Sequence, residues 1–145
     1  MKLHFGVIDQ QYRNGQSTGE VATILEKKYD VMGTFAAHST SDIKDALTNS
    51  IGDAVQAIMS GQPVPADPFA EGTDEIQEKF RRFLDTNAHG IVTDASKQGV
   101  SGRFKDKYNR QGKRGQAPGL SSGQVRPSFI DTGLYQNSFK AWVEE

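Results

Sequence analysis

The feature that most constrains this chain is the stretch of residues 88–128, which has no sustained hydrophobic period. Within residues 97–126 lie 6 of the chain's 15 glycines but only five large apolar residues. Ordering a residue costs about 1–2 kcal/mol of backbone entropy, which five such side chains in thirty residues do not offset. We therefore expect the hydrophobic core to come from the residues on either side, and this stretch to be ordered by something else or to stay mobile.

Charge divides the chain in the same way. Residues 1–90 carry 8 basic and 13 acidic side chains, whereas residues 97–126 carry 8 basic side chains and one acidic one. The formal net charge of −1 thus conceals an acidic body and a basic segment, which indicates a partner for the segment. That partner is either nucleic acid phosphate or an acidic body, its own or a neighbour's. The candidate contacts are Arg103, Lys105, Lys107, Arg110, Lys113 and Arg114.

The N-terminal part predicts one strand and three helices. Alternation of Leu3, Phe5 and Val7 predicts a strand over 2–8. Ser17 followed by Glu20 matches a capping box, and the helical period behind it predicts a helix over about 18–29. A broad apolar stripe beginning after Ser41-Asp42 predicts a long helix ending at residue 60, with Gly61 after it. Thr73-Asp74-Glu75 predicts the start of another helix, which should end near residue 85.

The C-terminal segment restores a helical period. Its apolar face is predicted to consist of Leu134, Tyr135, Ser138, Phe139, Trp142 and Val143. Asp131 or Thr132 should be the N-cap. A helix of about 11 residues is marginal by itself, so we expect it to dock on the body or on a neighbouring subunit.

Together these patterns predict an α+β, mainly α fold: a short N-terminal strand, three to four amphipathic helices, a long basic Gly-rich loop or arm and a C-terminal aromatic helix. The chain should form one domain with three parts. They are an acidic helical body at 1–90, a basic extended arm or loop at 91–128 and a docking helix at 129–145.

Several kinds of active site are disfavoured. The chain has no cysteine, which excludes disulfides, thiolate zinc sites and cysteine nucleophiles. His4, His38 and His89 are far apart in sequence and lack metal-ligand spacing, and no phosphate-binding loop occurs. Asp131-Thr132-Gly133 matches the short aspartic protease signature, but only a helical period follows it, so a hydrolase is the weakest of three hypotheses. We expect no enzyme, no metal and no cofactor.

No apolar run approaches the roughly 18 residues that a membrane span needs, and the first residues contain no apolar signal core. The sequence therefore predicts a soluble protein that does not contact a membrane.

The C-terminal stretch RPSFIDTGLYQNSFKAWV, residues 126–143, resembles a segment of neck and tail-completion proteins of tailed bacteriophages. In those proteins an apolar-Asp-Thr-Gly-apolar turn is followed by a short helix. Residues 2–9 and 80–86 are also similar to phage structural proteins near the head–tail joint. Many such proteins continue from the helix into β-strands that build a sheet. Because only twelve residues follow Gly133, we do not expect that sheet here.

The resemblance implies a virion structural protein that forms a ring around the DNA channel between portal and tail, with assembly beginning in the host cytoplasm. Its partners would be further copies of itself and other neck, portal or tail proteins, with nonspecific DNA contact if the basic segment faces the channel. The implied assembly interface comprises Asp131, Thr132, Gly133, Leu134, Tyr135, Phe139 and Trp142. The alternative is a nucleic-acid-binding accessory protein that uses the basic segment 97–126.

Overall fold

A computed structural model describes residues 1–91, 93, 96, 128–129 and 133–144 of this chain. These residues contain five helices and a two-stranded antiparallel sheet, so the α+β, mainly helical class is confirmed. In chain order the elements are β1 (Lys2–Val7), α1 (Thr18–Tyr29), α2 (Val31–His38), α3 (Thr40–Met59), α4 (Ala70–Asp85), α5 (Leu134–Ser138) and β2 (Phe139–Glu144).

The N-terminal strand and α1 lie where the sequence predicts them. At the start of α1 the Glu20 amide donates to Ser17 Oγ at 3.2 Å, and the Ser17 amide donates to the Glu20 carboxylate at 3.1 Å. Both halves of the predicted capping box therefore form. This interaction satisfies two backbone donors at the helix start, which is why a four-residue motif locates it.

Helix α2 was not predicted from the sequence. Asp30 adopts a left-handed conformation (φ 48°) that ends α1 and turns the chain directly into α2. The carboxylate of Glu26, one turn before the end of α1, accepts hydrogen bonds from the amides of Met32 and Gly33 at 3.0–3.1 Å. A side chain on the preceding helix thus caps α2, so the sequence of α2 itself carries no start signal.

Helices α3 and α4 pack closely through small residues. A Cβ atom at Gly72 of α4 would lie 2.8 Å from the carbonyl oxygen of Ala46 on α3. The hydroxyl of Ser50 donates to the carbonyl of Pro68 at 2.7 Å and accepts from the Gly72 amide at 3.3 Å. The hydrogen bonds of Ser50 and the absence of a side chain at Gly72 together set the distance between the two helices. Helix α4 begins at Ala70, three residues before Thr73, the predicted start, and just before it the Phe69 amide donates to Asp67 Oδ1 at 2.8 Å.

The predicted C-terminal aromatic helix is wrong beyond residue 138. Helix α5 covers only Leu134–Ser138, and β2 then pairs antiparallel with β1, from Val7 opposite Phe139 to Lys2 opposite Glu144. Phe139 and Ala141 are buried while Lys140 and Trp142 are exposed, which is the alternation of a half-buried strand. The apolar spacing of this segment is compatible locally with a helix or with a strand. It forms a strand because the edge of β1 is available for pairing.

Aromatic side chains from three elements, β2, α4 and α2, form the centre of the core. The ring of Phe139 stacks on Phe80 of α4 with centroids 3.9 Å apart, and Phe35 of α2 meets both rings edge to face. All three side chains are essentially inaccessible to solvent. The C-terminal strand and the N-terminal helices therefore share one core, and each edge-to-face pair adds about 0.5–1.5 kcal/mol beyond its burial.

Candidate assembly interface

The predicted interface segment is described from Gly133 onward; Asp131 and Thr132 lie outside the described residues. Gly133 adopts a left-handed conformation (φ 74°) and is itself the N-cap of α5. A glycine is favoured at this position because a left-handed backbone strains other residues, rather than because it permits close approach. Leu134, the first helical residue, is half-buried.

Tyr135 and Phe139 were assigned to an interface with another protein, but the structure buries both inside this chain. Tyr135 is 3% exposed and packs edge to face on Phe80, and Phe139 is 1% exposed. Among the described residues the Tyr135 hydroxyl has no hydrogen-bond partner, and its burial, reinforced by the charge of Glu26, raises the pKa of this phenol well above its ordinary value. These two residues attach the C-terminal segment to its own body.

Polar contacts complete this attachment. The side-chain amide of Gln136 donates to the carbonyl of Arg81 and to the carboxylate of Asp85, both at 2.9 Å, at the end of α4. The Ile8 amide donates to the carbonyl of Ser138 at 2.7 Å, which extends the strand pairing to the junction of α5 and β2. The segment is therefore fixed within its own subunit on two sides.

Trp142 is the exception within the predicted interface, because its side chain points away from the core. The outer surface of the sheet, which we call the Trp142 face, consists of Lys2, His4 and Gly6 from β1 and Lys140, Trp142 and Glu144 from β2. Strand alternation places these six residues on the side opposite Phe5 and Phe139. Trp142 keeps 48% of its surface exposed although it is the chain's only tryptophan.

The indole of Trp142 is held in one place on this face. It stacks on the cross-strand ring of His4, with centroids 5.4 Å apart and planes inclined by 13°. His4 Nε2 in turn donates to the Glu144 carboxylate at 2.9 Å. Two indole carbons lie 3.1 Å from where a Cβ of Gly6 would stand. A fixed aromatic side chain loses little entropy on binding, which suits it to anchor an interface.

A second exposed apolar surface lies on α3, within the broad apolar stripe that was predicted for this helix. Ile51, Val55, Ile58 and Met59, spaced at four, three and one residues, line one side of the C-terminal half of this helix. Their exposures are 39%, 48%, 62% and 83%, and we call them the α3 ridge. Helix α4 covers the neighbouring stripe that contains Ile43, Ala46 and Ala54, and it leaves the ridge uncovered. The apolar stripe of α3 is broader than one neighbouring helix can cover. This breadth was the signal in the sequence for an exposed apolar surface.

The six candidate phosphate-binding residues between Arg103 and Arg114 lie outside the described residues. The described residues that flank the basic segment are joined to each other. The Thr93 amide donates to Ser128 Oγ at 3.3 Å, while the Ser128 hydroxyl donates to the Ile91 carbonyl at 2.6 Å and the Ser128 amide to Asn87 Oδ1 at 2.9 Å. The described residues on either side of the basic segment thus lie next to each other, close to the end of α4.

In residues 1–91, 93, 96, 128–129 and 133–144, no three His, Asp or Glu side chains lie close enough together to hold a metal ion. Within the same part of the chain, no helix combines the length and the apolar character needed to cross a bilayer.

No protein-family model, curated protein or solved structure matches this chain.

Proposed function

We propose that this protein is a non-catalytic virion structural subunit of the head–tail connection of a tailed bacteriophage, which assembles as a ring around the DNA channel. The observation that carries the proposal is the exposed indole of Trp142. It lies in the segment that resembles phage neck and tail-completion proteins, and it is held outward by His4 and Gly6 instead of filling the core. Exposed apolar surface of this kind is typical of protein–protein interfaces.

The order of elements after Gly133 also supports the resemblance. Many of the phage proteins that the C-terminal segment resembles continue from the short helix into β-strands. A sheet was not expected here, because only twelve residues follow Gly133. Helix α5 is in fact followed directly by strand β2. The partner strand here is β1 at the other end of the chain, so a single C-terminal strand suffices to make a sheet.

The test is incorporation of a Trp142→Ala variant into virus particles. We expect purified particles to contain at least tenfold less of the variant than of the wild type, measured by mass spectrometry against the major capsid protein. Ile24→Ala, which alters an exposed isoleucine on α1 (54% exposed), is the matched control and should be incorporated normally. A circular dichroism melt of each variant verifies folding. Normal incorporation of Trp142→Ala, or absence of the wild type from particles, contradicts the proposal.

Nucleic-acid binding is the second candidate function, and it rests on the excess of eight basic side chains over one acidic in residues 97–126. It predicts that the affinity for duplex DNA falls as the salt concentration rises. In a plot of the logarithm of the binding constant against log[salt], each phosphate neutralised should contribute about −0.9 to the slope. Replacing Arg103, Lys105 and Lys107 by Gln should lower that slope. Replacing Lys27, Lys28 and Lys44 on the body is the charge-matched control. Absence of DNA binding at low salt excludes this candidate.

A further inference from the structure

We propose that the Trp142 face of one copy packs on the α3 ridge of a second copy. The inference deepens the proposed function by naming the two surfaces through which the subunits would join, and it rests on that function for its biological role. Both surfaces are apolar and exposed, and they lie on different elements of the fold: β2 and α3 each pack on α4.

The α3 ridge has the composition of a docking surface. Four large aliphatic side chains lie within about 12 Å along the helix, given a rise of 1.5 Å per residue. Gly52, beside them, is open: a Cβ there would meet no atom within 4 Å. Scattered exposed apolar residues are ordinary, but a contiguous row marks a surface that is covered in the assembled state.

Electrostatic complementarity identifies the partner surface. Between Lys44 and Lys79 the chain has seven acidic residues and no basic one, so α3, the connector and most of α4 form an acidic hairpin. The acidic residues are Asp45, Asp53, Asp67, Glu71, Asp74, Glu75 and Glu78. On the Trp142 face, Lys2 and Lys140 outnumber the one carboxylate, Glu144, which is paired with His4. The Trp142 face thus carries two lysines against one carboxylate, a small positive formal charge that is opposite in sign to the charge of the hairpin that carries the ridge.

The same charges disfavour the symmetric alternatives. Two α3 ridges facing each other would bring two acidic hairpins together, and two Trp142 faces would bring together two surfaces that each carry two lysines and one carboxylate. Like charges across an interface cost several kcal/mol and suppress such pairings. The favoured contact therefore joins two different surfaces. A contact of that type repeats from copy to copy and closes into a ring when its rotation allows.

We expect a contact smaller than a standard interface, which buries about 800 Å² on each partner, because it joins two helical turns to a two-stranded sheet. We therefore expect each contact to be weak, with self-association of the full-length chain visible at high protein concentration. It should weaken with added salt, which screens the charges.

Mixing two variants tests the proposal directly. Trp142→Ala removes one surface and Ile58→Asp removes the other, so each variant alone should stay monomeric in sedimentation velocity runs at concentrations where the wild type associates. An equimolar mixture retains one complete contact, between the Trp142 face of the Ile58→Asp chain and the ridge of the Trp142→Ala chain. The mixture should therefore contain a species of twice the monomer mass and nothing larger.

Two further variants distinguish loss of the contact between copies from loss of folding. Met59→Asp replaces the most exposed ridge residue (83%) and should behave as Ile58→Asp does, while Ile24→Asp on α1 should associate like the wild type. The inference is overturned if the wild type remains monomeric, if either variant alone associates normally, or if the mixture forms no dimer. Loss of Trp142→Ala from particles together with a monomeric mixture would refute the contact between copies while leaving the proposed function in place.

Discussion

The indole of Trp142 lies against the backbone of Gly6 on the neighbouring strand. Two of its ring carbons lie 3.1 Å from the position that a Cβ of Gly6 would take, which is closer than an ordinary van der Waals contact. The glycine therefore gives the indole its place beside His4 on the Trp142 face.

A Gly6→Ala substitution should displace the indole without unfolding the chain. Because the ring has to move by a few tenths of an ångström, we expect a changed emission spectrum and weaker self-association, with a stability change below about 1 kcal/mol. Trp142 is the only tryptophan, so fluorescence excited selectively at the indole, away from tyrosine absorption, reports on it alone. Gly52→Ala on α3 should leave the emission unchanged. An unaltered spectrum for Gly6→Ala would mean that Gly6 does not position the indole.

Substituting alanine for Gly72 should destabilise the pairing of α3 and α4. The added methyl group would lie 2.8 Å from the Ala46 carbonyl, a backbone atom that cannot move independently of its helix. We expect a loss of about 1–3 kcal/mol in the free energy of unfolding, measured by urea denaturation.

Gly52→Ala is the matched control for Gly72, since both glycines are helical and Gly52 has open space around it. It should raise the stability by about 0.5–1 kcal/mol because alanine favours the helical conformation. If both substitutions stabilise the protein, the close approach at Gly72 is not tight.

Tyr135→Phe should be neutral or stabilising near neutral pH. The hydroxyl that it removes is buried without a hydrogen-bond partner in the part of the chain that the structure describes, and an unpaired group of this kind costs about 1–3 kcal/mol. A loss of more than about 1 kcal/mol in urea denaturation at pH 7 would indicate that the hydroxyl is paired.

The same substitution should alter the dependence of stability on alkaline pH. Burial raises the pKa of Tyr135 in the folded chain, whereas in the unfolded chain a tyrosine titrates near about 10. Above that pH the unfolded state releases a proton that the folded state retains, so stability falls as pH rises, by up to about 1.4 kcal/mol per pH unit. Tyr135→Phe should lack this contribution, which urea denaturation at a series of pH values from about 9 to 12 would reveal. An identical slope for wild type and variant would contradict it.

Local interactions explain which parts of the fold were predictable. The capping box of Ser17 and Glu20 and the alternation of β1 are complete within a few residues, so their sequence suffices to locate them. Helix α2 was missed because its cap, Glu26, belongs to the preceding helix. The end of the C-terminal helix was wrong because the strand partner of Phe139 is Val7, at the opposite end of the chain.

The candidate interface also combines features that the sequence predicted with features that only the tertiary structure decided. From the sequence alone, the aromatic C-terminal segment, the acidic body and the basic segment 97–126 were identifiable, because composition, charge and local spacing are properties of the chain itself. Only the tertiary structure assigned Tyr135 and Phe139 to the core, turned Trp142 outward and left Ile51, Val55, Ile58 and Met59 uncovered. Whether an apolar side chain is buried depends on which surfaces the other elements already cover, and that is decided by packing between residues distant in sequence.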